Sequence, residues 1–188
     1  MFKDFKTKPN VIIVFTGAGK GKTSASLGLM VRALGAGFKV AYIQFVKNWQ
    51  VNEHNFIDKV QPLYKNQLTF YKGGAGFYKA GALSAKNVSE IQHNKAALGT
   101  YKFALEAVTS GKYDLVICDE INNAVHDGLL SQKQLADLIN NHSPKTSLCL
   151  TGRNFPAKLL PLVDIATDMK KIKHHFDDKF LANPGIDF

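Results

Sequence analysis

The chain has 188 residues, 45% of them hydrophobic and 21% charged, a balance that suits one globular domain with a real core and excludes a disordered chain. No apolar run approaches the ~18 residues of a membrane-spanning helix, and residues 1–10, where Lys alternates with Phe, lack an apolar signal core. The formal charge of +9 leaves nucleic acid, an anionic small molecule and plain solubility open. Of the 24 basic residues only Arg32 and Arg153 are arginines, a composition that does not favour base readout.

Val11 to Phe15 is an unbroken β-branched and aromatic run, the pattern of a buried parallel strand. Lys22 to Leu34, rich in Ala, Leu and Met, reads as a helix stopped by Gly35 and Gly37. A second strand is expected at Val40 to Phe45, a short helix at Asn52 to Val60, and a short strand at Leu68 to Tyr71. That strand runs into Gly73-Gly74-Ala75-Gly76-Phe77, read as a flexible turn tipped with aromatics. From Val88 to Ser110, apolar residues at Ile91, Leu98, Tyr101, Leu105 and Val108 predict an amphipathic helix. Leu115 to Cys118 reads as a central strand, Gln132 to Asn140 as a helix, and Leu148 to Leu150 as a strand core. A short helix at Ala157 to Leu162 and a last strand at Ile165 to Met169 precede a polar tail, residues 171–188. Strands alternating with helices predict a single α/β domain with a mostly parallel central sheet flanked by helices. Cys118 and Cys149 sit inside apolar runs, read as buried reduced thiols of a cytoplasmic protein.

The chemistry concentrates in Thr16-Gly17-Ala18-Gly19-Lys20-Gly21-Lys22-Thr23, which follows a strand and opens a helix. Glycines let backbone N–H groups converge on phosphate oxygens, and the helix N-terminus adds partial positive charge. Lys22 supplies a full charge, and the Thr23 hydroxyl can ligate Mg²⁺. The strict spacing puts glycine where Thr16 stands, so this P-loop begins one residue late. Val116-Ile117-Cys118-Asp119-Glu120 supplies an apolar strand ending in two carboxylates, either of which can hold the metal. Leu150-Thr151-Gly152-Arg153 ends another strand, and an arginine there can clamp a phosphate or form a surface ion pair. The six histidines, His174-His175 among them, show no metal-site spacing, and that pair reads as solvated.

Together these motifs resemble the P-loop type of ATP:corrinoid adenosyltransferase. The resemblance rests on Phe15 to Ser24, Arg32-Ala33-Leu34-Gly35, Ile43-Gln44-Phe45-Val46-Lys47, Gly74-Ala75-Gly76-Phe77, Asp119-Glu120-Ile121 and Leu150-Thr151-Gly152-Arg153. Lys173-His174-His175-Phe176 and Gly185-Ile186-Asp187-Phe188 add to it. It implies a RecA-like fold, usually a homodimer, that uses ATP with Mg²⁺ or Mn²⁺ and a corrinoid substrate, with a flavoprotein as a candidate reductant. Reduced Co(I) would attack the ribose C5′, and intact triphosphate would leave. The alternative class is a RecA-like ATPase acting on nucleic acid.

By the same resemblance, Gly17, Ala18, Gly19, Lys20, Gly21, Lys22, Thr23 and Ser24 hold the triphosphate, with Lys22 and Arg153 neutralising its charge. Thr23 and Glu120, with Asp119 second, take the metal, and Phe77 faces the corrinoid. The nucleophile belongs to the substrate, so no Ser/His/Asp or Cys/His constellation is needed, and the sequence presents none. Three departures stand out: Lys79 where the family carries Trp, Asn48 where it usually has Gly, and no long N-terminal extension to cap the site.

Overall fold

The computed structural model describes residues 4–47, 50–76, 78 and 88–186. In chain order they form β1 (Ile12–Thr16), α1 (Lys22–Gly35), β2 (Val40–Gln44), α2 (Asn52–Val60) and β3 (Leu68–Lys72). There follow α3 (Glu90–Thr109), β4 (Leu115–Asp119), α4 (Ile121–His126), α5 (Gln132–Asn140), β5 (Ser147–Thr151) and β6 (Ile165–Asp168). Short 3-10 helices occupy Ala157–Leu162 and His175–Asp178.

The six strands make one sheet in the order β3-β2-β4-β5-β1-β6. Every pairing is parallel, so the expected mostly parallel sheet is wholly parallel among the described residues. Parallel strands need covered faces. Alternate residues of β2 and β4 therefore serve two cores. Ala41, Ile43, Val116 and Cys118 join Ala104 and Val108 of α3 and Leu138 of α5. Val40, Tyr42, Leu115 and Ile117 join Met30 and Leu34 of α1 and Ile57 of α2.

Helix α1 ends as its glycines predict. The Gly37 N–H donates to the Leu34 carbonyl and the Phe38 N–H to the Ala33 carbonyl, with Gly37 at φ 81°. That is a Schellman closure, which a side chain at Gly37 would strain.

Three expectations need correcting. In α3, Ile91 and Leu98 are exposed, and the buried face is Ala97, Thr100, Tyr101, Ala104, Ala107 and Val108. Tyr101 and Val108 lie on the inner face as expected, but most of that face is small residues, so Ile91 and Leu98 do not mark it. The Gly73–Gly76 segment is not a loose turn. The Gly73 N–H donates to the Gln44 carbonyl and the Gly76 N–H to the Val46 carbonyl, both at 3.0 Å. A Cβ on Gly73 would collide with Thr100, and one on Gly74 with the Val46 backbone, so close approach requires these glycines. The tail beyond Met169 is also less polar than expected, exposing Ile172, Phe176, Phe180 and Leu181.

Candidate active site at the C-terminal edge of the sheet

A parallel sheet sends the C-terminal ends of all its strands to one edge, where ligands of open α/β folds sit. Strand β5 lies between β1, which leads into the P-loop, and β4, which ends in the carboxylates. The Thr151-Gly152-Arg153 loop therefore emerges between the other two motifs.

The P-loop is folded against β6. The Met169 N–H donates to the Thr16 carbonyl at 2.8 Å, and the Gly19 N–H donates to the Met169 carbonyl at 2.6 Å. A Cβ on Gly19 would stand 2.6 Å from the Met169 oxygen, while Gly17 and Gly21 hold φ values of 100° and 102°. Both kinds of constraint demand glycine. The Lys22 ammonium donates to the carbonyls of Gly17 at 2.8 Å and Gly19 at 2.6 Å, inside the curve of the loop. Burial pushes its pKa down; Glu120 and Asp119 oppose that, while Arg153 and Lys20 add to it. All four charges thus lie within electrostatic reach of Lys22.

Asp119 is fully buried and gripped at both oxygens. Its Oδ2 accepts from the Gln44 amide at 3.0 Å and the Thr23 hydroxyl at 3.3 Å, and its Oδ1 from the Thr151 hydroxyl at 2.7 Å. Gln44 and Asp119 are paired in the β2–β4 register, which puts the two side chains side by side. The Thr151 hydroxyl in turn accepts the Glu120 N–H at 2.9 Å. Glu120 sits at φ 65° between β4 and α4, an uncommon conformation for a non-glycine residue that turns the chain sharply at the strand end. Its carboxylate accepts from the Asn123 amide, whose oxygen accepts the Arg153 N–H at 2.6 Å. Burial first, and Asp119 next, push the Glu120 carboxyl up to about 7, against the pull of Lys47, Lys22 and Arg153.

The sequence matches the family of ATP:corrinoid adenosyltransferases BtuR/CobO/CobP over residues 8–188. The chain belongs to the ATP:corrinoid adenosyltransferase family. Its relatives include the corrinoid adenosyltransferase of Escherichia coli K12, 29% identical over 95% of this chain and 85% of that protein. A Sinorhizobium corrinoid adenosyltransferase is 29% identical over 95% of this chain and 80% of its own length. Corrinoid adenosyltransferase CobA of Salmonella typhimurium is 27% identical over 95% and 85%. Among solved structures, the flagellar accessory protein FlaH from Methanocaldococcus jannaschii superposes with a TM-score of 0.54 at 12% identity, covering 86% of this chain and 71% of that one. At that identity the likeness concerns the fold alone, which is RecA-like. Membership of the adenosyltransferase family decides for adenosyl transfer over a nucleic-acid ATPase.

A divalent metal suits the donors that this adenosyltransferase gathers. Thr23 Oγ1, Asp119 and Glu120 are hard oxygen donors of the kind Mg²⁺ prefers. Burial and the neighbouring Asp119 disfavour charge on Glu120, and a bound cation would relieve both. Among the described residues there is no cluster of three or more His, Cys, Asp and Glu of metal-site form. Mg²⁺ does not require one, since it is commonly bound by one or two carboxylates plus substrate phosphates.

Of the predicted site residues, the structure brings together Gly17 to Thr23, Asp119, Glu120 and the Arg153 loop. Ser24 lies exposed on the first turn of α1, and the Arg153 side chain is also exposed. Phe77, Lys79 and Asn48 lie outside the described residues. Three participants were missed: Gln44, His54 and Asn123. Gln44 carries a faint signal, a lone amide closing an otherwise apolar strand; His54 and Asn123 carry none. His174 and His175 are half-buried rather than solvated, with ring centroids 4.9 Å apart.

Proposed function

We propose that this chain transfers the 5′-deoxyadenosyl group of ATP to the Co(I) of a reduced corrinoid and releases intact triphosphate. The observation that carries this reading is the convergence, in a member of this family, of a P-loop lysine, two carboxylates and an arginine loop on one sheet edge. Such a site is built to grip a polyanion. In the reaction the cobalt electron pair forms the Co–C bond as the C5′–O bond breaks, and that bond's electrons depart on triphosphate. The protein's work is to hold C5′ in line with cobalt and to neutralise the leaving group.

Gly17 to Ser24 would receive the triphosphate through backbone N–H groups, with Lys22 and Arg153 as its countercharges. Lys22 would exchange the Gly17 and Gly19 carbonyls for phosphate oxygens. Thr23 and Glu120 would hold Mg²⁺ or Mn²⁺, which supplies charge neutralisation on the phosphates when bound. Asp119, already accepting three hydrogen bonds, suits orienting the Thr23 hydroxyl better than ligating the metal directly. Phe77 would face the corrinoid. We read the chain as one catalytic domain, acting as a homodimer in the cytoplasm with a flavoprotein as reductant. Among the described residues no helix is long and apolar enough to cross a membrane. Both thiols are buried, and burial followed by the Asp119 charge pushes each to higher pKa, so neither is reactive.

The test is a turnover with ATP, Mg²⁺ and chemically reduced cobalamin. A light-sensitive Co–C product with stoichiometric triphosphate is expected. Release of ADP and phosphate without that product would overturn the proposal.

A further inference from the structure

Helix α2 is short and mostly polar, and only two of its side chains are buried, Ile57 and His54. Ile57 belongs to the core between α1, α2 and the sheet. His54, 1% exposed, ends in hydrogen bonds that lead to the active site. Its Nδ1 accepts the Val51 N–H at 3.3 Å, which leaves the ring proton on Nε2, facing the Gln44 side-chain oxygen. Gln44 Oε1 is thereby engaged by a donor, and the Gln44 amide nitrogen must point the other way, to Asp119 Oδ2 at 3.0 Å.

An unrestrained glutamine amide has two orientations of nearly equal shape. The flipped one would set a carbonyl oxygen against the Asp119 carboxylate in a fully buried place, where unpaired polar contacts are costly. His54 removes that choice. We propose that His54 is a positioning residue of this site: acting through the Gln44 amide, it holds Asp119 in the orientation that accepts the Thr23 hydroxyl. With its proton committed to Asp119, Thr23 Oγ1 turns its lone pairs outward to a divalent cation. The inference rests on the reading that Thr23 takes such a cation together with ATP.

A packing role for His54 makes the opposite forecast. The ring lies 5.5 Å, centroid to centroid, from Phe70, a contact that leucine would replace better than glutamine. Glutamine, however, preserves a donor towards Gln44, and leucine does not.

The experiment follows Mn²⁺ binding to the full chain with ATP, by electron paramagnetic resonance and without corrinoid. His54→Leu should weaken Mn²⁺ about tenfold, the usual cost of losing an outer partner of a metal site. ATP affinity measured without metal should be unchanged. His54→Gln should keep the wild-type Mn²⁺ affinity. Gln44→Met should match His54→Leu, and the double variant should lose no more than either single one. An unaffected His54→Leu, a His54→Gln as weak as His54→Leu, or additive losses would each overturn the inference. If His54→Leu does not fold, wild-type affinity in Gln44→Met or weakened affinity in His54→Gln overturns it. A wild-type chain that binds ATP but no Mn²⁺ would overturn the metal reading and this inference with it; normal wild-type binding beside unaffected variants would overturn this inference alone.

Discussion

Thr23 and Asp119 stand 96 positions apart in the chain, yet the Thr23 hydroxyl donates to Asp119 Oδ2 at 3.3 Å. Asp119 accepts two further donors, so three hydrogens converge on one carboxylate. Asp119→Asn keeps the shape but turns one acceptor into a donor, so at least one of the three donors loses its acceptor. The expected loss is about 10- to 100-fold in kcat/KM for ATP. Stability should fall by about 1–3 kcal/mol for the unsatisfied buried group. Steady-state adenosylation and denaturant unfolding check the two effects separately.

Lys22 satisfies the carbonyls of Gly17 and Gly19 before any phosphate does. Lys22→Ala therefore removes a phosphate partner and the brace of the loop. ATP affinity should drop about 10- to 100-fold, as for a charged hydrogen bond worth about 1.5–3 kcal/mol. Titration calorimetry with Mg²⁺ and ATP reads it directly. Unchanged affinity would remove the P-loop from nucleotide binding.

Most of the frame was legible because its strands are short apolar runs that end in polar motifs. Val11 to Phe15 and Leu115 to Cys118 announce themselves in this way, and the P-loop glycines mark the turn between β1 and α1. Helix α4 was not legible. Its six residues carry two adjacent asparagines, and its start is set by the φ of Glu120 rather than by an N-cap side chain. The inner face of α3 was misread because Ala97, Thr100, Ala104 and Ala107 do not look like a core. Gln44 and His54 escaped for another reason. Their bearing on Asp119 follows from the β2–β4 register and from where α2 rests, neither of which is a local property of the chain.

Gly17 lacks both room and an ordinary φ, whereas Gly19 and Gly21 each show one constraint alone, which a pair of substitutions should separate. Gly19 lacks room, with the Met169 carbonyl oxygen 2.6 Å from its would-be Cβ. Gly21 has room, its nearest neighbour being the Met169 sulfur at 3.8 Å, but holds φ 102°. Gly19→Ala must push the loop off β6, so ATP binding should fail and stability drop by about 1–3 kcal/mol. Gly21→Ala meets only backbone strain, about 1–2 kcal/mol. Thermal unfolding with and without ATP distinguishes them: added ATP should raise the Tm of Gly21→Ala and leave that of Gly19→Ala where it was.

Lys47 and Glu53 form an ion pair at 2.8 Å just behind the carboxylates, with side chains 18% and 15% exposed. Burial alone would raise the Glu53 pKa, but the hydrogen bond and charge of Lys47 outweigh it and hold the carboxyl below its usual value of 4.5. A carboxyl whose folded pKa lies below its unfolded one binds fewer protons when folded. Its stabilisation is complete above the unfolded value and is lost as pH falls through the folded one. Glu53→Gln should flatten that acid limb below pH 4.5 and lower stability at neutral pH by about 1–3 kcal/mol, because it strands a partly buried ammonium. Asp119 and Glu120 also attract that ammonium, which keeps the loss from growing larger. Urea unfolding between pH 3 and 7 checks this, and parallel curves for wild type and variant would mean the pair adds nothing to the fold.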